Sequence, residues 1–228
     1  MPLAVFDIDG TLVAGPSTEK RFFLWLLRRG RLGPLRLLAF LLFNLRWLAR
    51  YGRHVAKKNK AYLRGMDAAT LEREARAFVA SEVEPALHAP AVSRLHRHRA
   101  AGDAVVLLSG TLQPIAEELA RRLEADEAIG SVCAERRGRL TGQPPVRHPF
   151  GADKCALLDE ICARRGVAVS AVAAYGDSRW DLPLLERVGT PVAVRPDPEL
   201  QATAEARGWE VLSEDIGGGV GHARQDTV

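Results

Sequence analysis

Cysteine is scarce in this chain: three in 228 residues, with no Cys-x-x-Cys spacing among Cys133, Cys155 and Cys162. A small, odd and scattered set builds neither a disulfide framework nor a zinc site, and it favours a reducing compartment. No charged leader with a cleavage site is expected either, because an apolar run begins at Leu3. The expectation is a cytoplasmic protein. No stretch is apolar enough to span a bilayer. In the most hydrophobic segment the longest uncharged run, Leu37 to Leu45, falls far short of the roughly 20 residues required. Internal repeats are absent. After residue 65 there is no basic stripe interleaved with aromatics, so no nucleic-acid partner is expected. A formal charge of +4 with a pI near 9.2 is a mild excess.

What is present is an α/β rhythm. Short Val/Ala-rich runs alternate with longer amphipathic stretches, the pattern of a parallel sheet covered by helices. The runs predict strands over 3–7, 104–108, 171–175, 190–194 and 209–212. They predict helices over 111–125, 152–165, 180–187 and 198–207. The segment "SVCAERRGRLTGQ" has two short arms around Arg137-Gly138 and reads as a hairpin.

Residues 17–86 break the rhythm, with helical patterning and no strand candidate. A crossover between neighbouring parallel strands needs only one helix. A helical cap of about seventy residues, inserted after the first strand, is therefore expected. Gly30, Gly33-Pro34, Gly52, Gly65 and Pro85 divide it. The expected division is an α/β core of residues 1–16 and 87–213, a cap of 17–86, and a flexible, Gly-rich tail of 214–228.

The opening run "AVFDIDGTLV" ends in two acids spaced two apart, Asp7 and Asp9, followed by Gly10 and Thr11. An apolar run ending in polar residues reads as a buried parallel strand with its acids at the carboxyl end. Open α/β sheets bind their ligands at that end. Residues two apart on an extended segment share a face, and paired carboxylates repel unless a cation or a shared proton relieves them. The pattern points to a metal site; an ordinary Asp-Gly turn gives the same letters.

Three later stretches bear on the choice. "VVLLSGT" ends a second apolar run in Ser109 and Gly110, a hydroxyl and an amide suited to cradle phosphate at a helix start. "GADK" puts Lys154 at the start of a helix, and "AYGDSRWD" ends a third run in Asp177, with Asp181 four residues on. Singly these read as an N-cap, a surface lysine and a turn. Together they fall at strand ends or helix starts along one edge of a single sheet, and carboxylates with phosphate oxygens are what Mg²⁺ prefers.

In order, "DIDGT", "LLSGT", "GADK" and "GDSRWD" resemble the four signatures of the haloacid dehalogenase superfamily of aspartate-nucleophile phosphohydrolases. The helical insertion and the fourth motif resemble its phosphoserine-phosphatase-like branch. The resemblance implies a Rossmann-like doubly wound core with a helical cap, and roles for the matching residues. Asp7 would be the nucleophile and Asp9 the general acid/base. Ser109, Gly110 and Lys154 would hold the phosphoryl oxygens. Mg²⁺ would be held by Asp7, the backbone carbonyl of Asp9 and Asp177, with Asp181 through water or as a support. An Asp at the Asp9 position favours a phosphatase, or in second place a mutase, over pumps and dehalogenases of the superfamily.

The substrate stays open between several phosphate esters. Phosphoserine phosphatases resemble one another in a Glu nine residues after the nucleophile. Here that offset is Pro16, and Glu19 follows three residues later. The cap is rich in aromatics beside Arg and Lys, the composition of interfacial helices. It is expected either to pack on itself and the core, or also to receive a lipid phosphate or touch a membrane. The cluster Arg53, His54, Lys57, Lys58 and Lys60 could meet lipid head groups or form a solvated face. Phe23 and Trp25 are expected on the inner wall. A non-catalytic docking protein with a vestigial site is the alternative of another class.

Overall fold

Every side chain of strand β1 (Leu3–Phe6) is buried, which follows from its place in the middle of the sheet. The computed structural model describes residues 2–52 and 55–213. Arg53 and His54 of the basic cluster, and the expected tail, lie outside the described residues. Six strands form one parallel sheet in the order β3-β2-β1-β6-β7-β8, with β2 at Ala104–Leu112, β3 at Glu127–Ser131, β6 at Val172–Gly176, β7 at Thr190–Val194 and β8 at Glu210–Leu212. A separate antiparallel pair, β4 (Glu135–Arg136) and β5 (Arg139–Leu140), turns at Arg137-Gly138 as expected.

Alternation along β1 divides the core. Ala4 and Phe6 belong to one hydrophobic cluster, with helices α5 (Ala89–Ala100) and α6 (Gln113–Leu123) and the cap. Leu3 and Val5 belong to the other, beneath α7 (Asp153–Arg165), α8 (Leu182–Leu185) and α9 (Pro198–Arg207). A sheet covered on both faces needs strands apolar at every position, which is why these runs are readable.

Between β1 and β2 the chain forms α1 (Thr18–Arg28), α2 (Pro34–Tyr51), the single turn α3 (Val55–Lys58), α4 (Ala68–Phe78) and short tighter or wider turns. The fold is the expected Rossmann-like α/β sheet with an inserted helical segment. The inserted helices attach to the core through Phe22, Leu26, Leu71 and Phe78, all buried in the first cluster.

Two elements depart from expectation. Helix α5 and edge strand β3 carry too few large apolar residues to announce themselves: α5 buries Ala91 and Leu95, and β3 reads Glu-Ala-Ile-Gly-Ser. The sheet order places the topological switch at β1, between β2 and β6, where open α/β sheets bind ligands.

Candidate active site

Asp7 follows β1 directly, and its amide donates to the Tyr175 carbonyl at 3.0 Å, tying it to the end of β6. Asp177 follows β6, so register alone brings these two acids side by side. Asp181 caps α8. Its Oδ2 accepts from the Ser178 amide at 3.3 Å and the Ser178 hydroxyl at 3.2 Å. That turn shortens the expected helix over 180–187 to Leu182–Leu185, and Asp181 stands before it rather than within its first turn. One carboxylate oxygen from each of Asp7, Asp177 and Asp181 lies within 4.8 Å of the other two.

Lys154 enters this cluster from the first turn of α7. Its ammonium donates to Asp7 Oδ1 and to Asp181 Oδ1, both at 2.6 Å, and the side chain is buried. One ammonium does not balance three carboxylates. Burial pushes the Asp7 carboxyl up to about 7, with Lys154 opposing and Asp181 adding to the rise. Burial, followed by the charges of Asp7 and Asp181, pushes Asp177 up to about 8. The donors are all hard oxygens with surplus negative charge, and no His or Cys stands among them. That set suits Mg²⁺ rather than zinc.

Gly10 makes the convergence possible. Its φ is +86°, and a Cβ there would fall 2.0 Å from Asp177 Oδ2. Gly10→Ala is expected to cost about 1–3 kcal/mol in strain alone and to push Asp177 out of place. Denaturant unfolding beside activity at saturating Mg²⁺ checks both.

Asp9 faces a different environment. Its Oδ1 accepts from the Thr18 amide at 2.7 Å, and its Oδ2 from the Thr18 hydroxyl at 3.3 Å and the Thr111 hydroxyl at 3.2 Å. Burial raises its pKa, and the Thr18 bonds partly offset the rise. Its carboxylate therefore stands apart from the three-acid cluster. Two residues apart in sequence, Asp7 meets an ammonium and Asp9 meets neutral donors.

Ser109 corrects the helix-start expectation. It lies inside β2, which runs on to Leu112, and α6 begins only at Gln113. Its buried hydroxyl lies 3.3 Å from Thr111 Oγ1, and Gly110 and Ser109 both border the cavity above Asp7.

That cavity is about 450 Å³. The core supplies Asp7, Asp9, Lys154, Asp177, Phe150 and Trp180, and the inserted helices supply Phe23, Phe40, Lys57, Lys60 and Tyr62. Glu19 also borders it, gripped by Lys60 at 2.6 Å and by the Tyr62 hydroxyl at 2.5 Å. Lys57 reaches across, 3.8 Å from the Phe150 ring centre and 4.7 Å from that of Trp180. Trp25 does not border the cavity. It packs against Phe78 with the Arg29 guanidinium over its ring.

Sequence reasoning missed Thr18, Thr111 and His148. His148 lines the cavity, its Nδ1 is 2.7 Å from Ser131 Oγ, and burial with the nearby lysines pushes its pKa down to about 3, so the ring is neutral.

A six-stranded parallel sheet with acids at its switch point, beside a buried lysine, defines an α/β protein with a carboxylate centre. Residues 4–186 match the family model of haloacid dehalogenase-like hydrolases. The chain belongs to this family and is a phosphatase. It is 30% identical over 218 residues to a probable phosphatase of Mycobacterium tuberculosis, covering 92% of this chain and 74% of the relative. It is 28% identical over 233 residues to a histidinol-phosphatase of Neisseria meningitidis, covering 92% and 98%. A solved structure from Bordetella pertussis Tohama I, of a protein with unknown function, superposes with a TM-score of 0.75. That likeness has 30% identity over 92% of this chain and 97% of the other. Among the described residues no helix is long and apolar enough to cross a membrane.

Proposed function

We propose that the protein hydrolyses phosphate monoesters through an aspartyl-phosphate on Asp7, with Mg²⁺ as its cofactor. The observation that carries this is the split environment of the two leading acids. Asp7 is held by the Lys154 ammonium, whereas Asp9 is held apart by an amide and two hydroxyls. A carboxylate oxygen of Asp7 attacks phosphorus and the ester P–O bond breaks. The departing alkoxide takes its proton from Asp9, whose burial favours the protonated form. Asp9, now a carboxylate, then takes a proton from water, which attacks the aspartyl-phosphate and releases inorganic phosphate.

Lys154 and the Ser109–Gly110 edge would hold the phosphoryl oxygens, replacing water with fixed donors as charge shifts. Asp7, Asp177, the Asp9 carbonyl and, directly or through water, Asp181 would hold Mg²⁺. When bound, the ion supplies the charge that keeps Asp7 ionised and lets carboxylate approach phosphate.

Aromatic rings from Phe23, Phe40, Phe150 and Trp180 line the cavity beside the acids. They suit an alcohol with an apolar or ring-bearing body. A lipid phosphate and the imidazole-bearing alcohol of histidinol phosphate, the substrate class in the Neisseria relative's name, both meet that description. Phosphoserine has no such body; it and histidinol phosphate both bear an ammonium, which would have to compete with Lys60 and Tyr62 for Glu19, so the missing body alone sets phosphoserine apart. The cap's basic composition also supports a peripheral membrane contact.

Phosphate release from p-nitrophenyl, histidinyl, seryl and lipid esters, with and without Mg²⁺, tests this reading. No release from any ester would leave only the docking alternative. The metal assignment has a readout besides turnover. Asp7 and Asp177 have folded pKa values near 7 and 8, above the ordinary 3.8, so the native state binds more protons between pH 4 and 8. Stability of metal-stripped protein must then fall as pH rises through that window. Added Mg²⁺ is expected to raise Tm at pH 8 and to do so less at pH 5, where protons compete. A flat profile with no response to Mg²⁺ would overturn it.

A further inference from the structure

From Lys20 to Met66 the sequence holds thirteen Lys or Arg and no Asp or Glu, although the whole chain is only +4. The remainder of the chain is therefore net negative, and the positive charge is concentrated in one segment. Acids from elsewhere hold part of it: Arg21 pairs with Glu82, Arg29 and Arg31 with Glu74, and Lys60 with Glu19. Arg46 and Arg50 instead lie over the rings of Trp47 and Tyr51 on their own helix, and among the described residues no ion pair holds either.

Helix α2 lies within this segment. Phe43 is its one buried residue, and Phe40 borders the active-site cavity. Its other side carries Leu35, Leu38, Leu41, Leu42, Leu45 and Leu48, each at least half exposed, with Leu35 at 80% and Leu45 at 75%. Their spacing of three and four residues gathers them on one face, which runs the length of a helix about 27 Å long. At 100° per residue Arg46 falls on the edge of that face, and Arg50 lies further round, between the face and the side of Phe43. A continuous apolar face of this extent is not the scattered exposure that soluble surfaces tolerate.

We propose that the leucine face of α2 docks on an anionic lipid bilayer, lying in its interface with the flanking arginines among the head groups. This rests on the reading of the cap as membrane-facing and adds the face and its occupant. The charge selects the occupant. A second copy seated on the same face would bring two acid-free, arginine-bearing segments together, whereas anionic head groups neutralise the arginines while the acyl boundary takes the leucines. The opposite side of α2 borders the cavity through Phe40, so a docked helix would keep the active site about one helix diameter, roughly 10 Å, from the lipid.

Sedimentation with vesicles of phosphatidylcholine, with or without phosphatidylglycerol, tests the proposal on the full chain. The wild type should sediment with the anionic vesicles, less so as salt rises. The triple variant Leu38→Gln/Leu41→Gln/Leu45→Gln should bind at least about tenfold more weakly, and Arg46→Gln/Arg50→Gln about fivefold more weakly per charge removed. Both variants should keep the wild-type Tm and p-nitrophenyl phosphate turnover, since none of these residues borders the catalytic acids. Undiminished vesicle binding by the leucine variant would overturn the α2 face while leaving a cap contact standing. No binding by the wild type would overturn both. A wild-type dimer that becomes monomeric in the leucine variant, without vesicle binding, would assign the face to a second copy. None of these outcomes touches the phosphatase reading.

Discussion

Asp7→Asn is expected to lower turnover roughly ten-thousand-fold or more, because an amide cannot form the acyl-phosphate and the covalent route closes. The loss should not come with unfolding. Asp7 is one of three crowded carboxylates, two of them with raised pKa values, so its burial is costly in the metal-free protein. The neutral Asn keeps an oxygen able to accept from Lys154 and removes a repulsive charge. Tm of the metal-stripped variant at pH 8 should therefore equal or exceed that of the wild type. Beryllofluoride, a mimic of the aspartyl-phosphate, should bind the wild type and not the variant. Substantial activity in the variant, with deamidation ruled out by mass spectrometry, would remove Asp7 from its assigned role.

The part of the molecule that holds Asp7 is legible from sequence. Buried parallel strands have to be apolar throughout, and functional groups at their carboxyl ends have to interrupt that run. "AVFDID" and "AAYGD" carry both signals, so Asp7, Asp9 and Asp177 are readable with their strands. Lys154 is readable as a helix-start lysine, but its burial is not. That depends on the two carboxylates waiting 147 and 27 residues away in the chain.

Other features depend on three-dimensional convergence or on weak local signals. Thr18 and Thr111 are ordinary residues in sequence, and they matter because they meet at 3.0 Å over Asp9. In α1 the aromatics share one amphipathic stretch, and helix phase decides their fates. Phe22 and Leu26, four apart, point into the core, Phe23 turns to the cavity, and Trp25 packs beside Phe78. Ser109 reads as a cap in sequence because Ser-Gly-Thr commonly precedes a helix. The strand instead continues through it, and β3 pairs with β2 as far as Leu112 across a register shift.

Lys154→Met should carry a larger stability change than either Gly10→Ala or Asp7→Asn. The ammonium is buried and accepted by two carboxylates at 2.6 Å each, and the same carboxylates hold it protonated despite its burial. Replacing it with an apolar chain of similar length leaves buried Asp7 and Asp181, and half-buried Asp177, without that counter-charge. Breaking a buried network in this way costs about 3–5 kcal/mol. The loss should depend on pH in a defined direction. Without Lys154 the pKa values of Asp7 and Asp177 rise further, so the native state takes up more protons and stability falls more steeply from pH 5 to pH 8. Calorimetry should find variant and wild type closer at pH 5 than at pH 8. Mg²⁺ should restore part of the stability, because a divalent cation offsets the same surplus charge. It should not restore turnover, expected to be down about a thousand-fold, because the ion would not replace the contact with a phosphoryl oxygen proposed for the lysine. Lys154→Arg should also stay impaired, since a planar, wider guanidinium does not reproduce two short contacts from a single nitrogen. Recovery of both stability and turnover by Mg²⁺ alone would reduce Lys154 to a spectator charge and take away its phosphate-binding role.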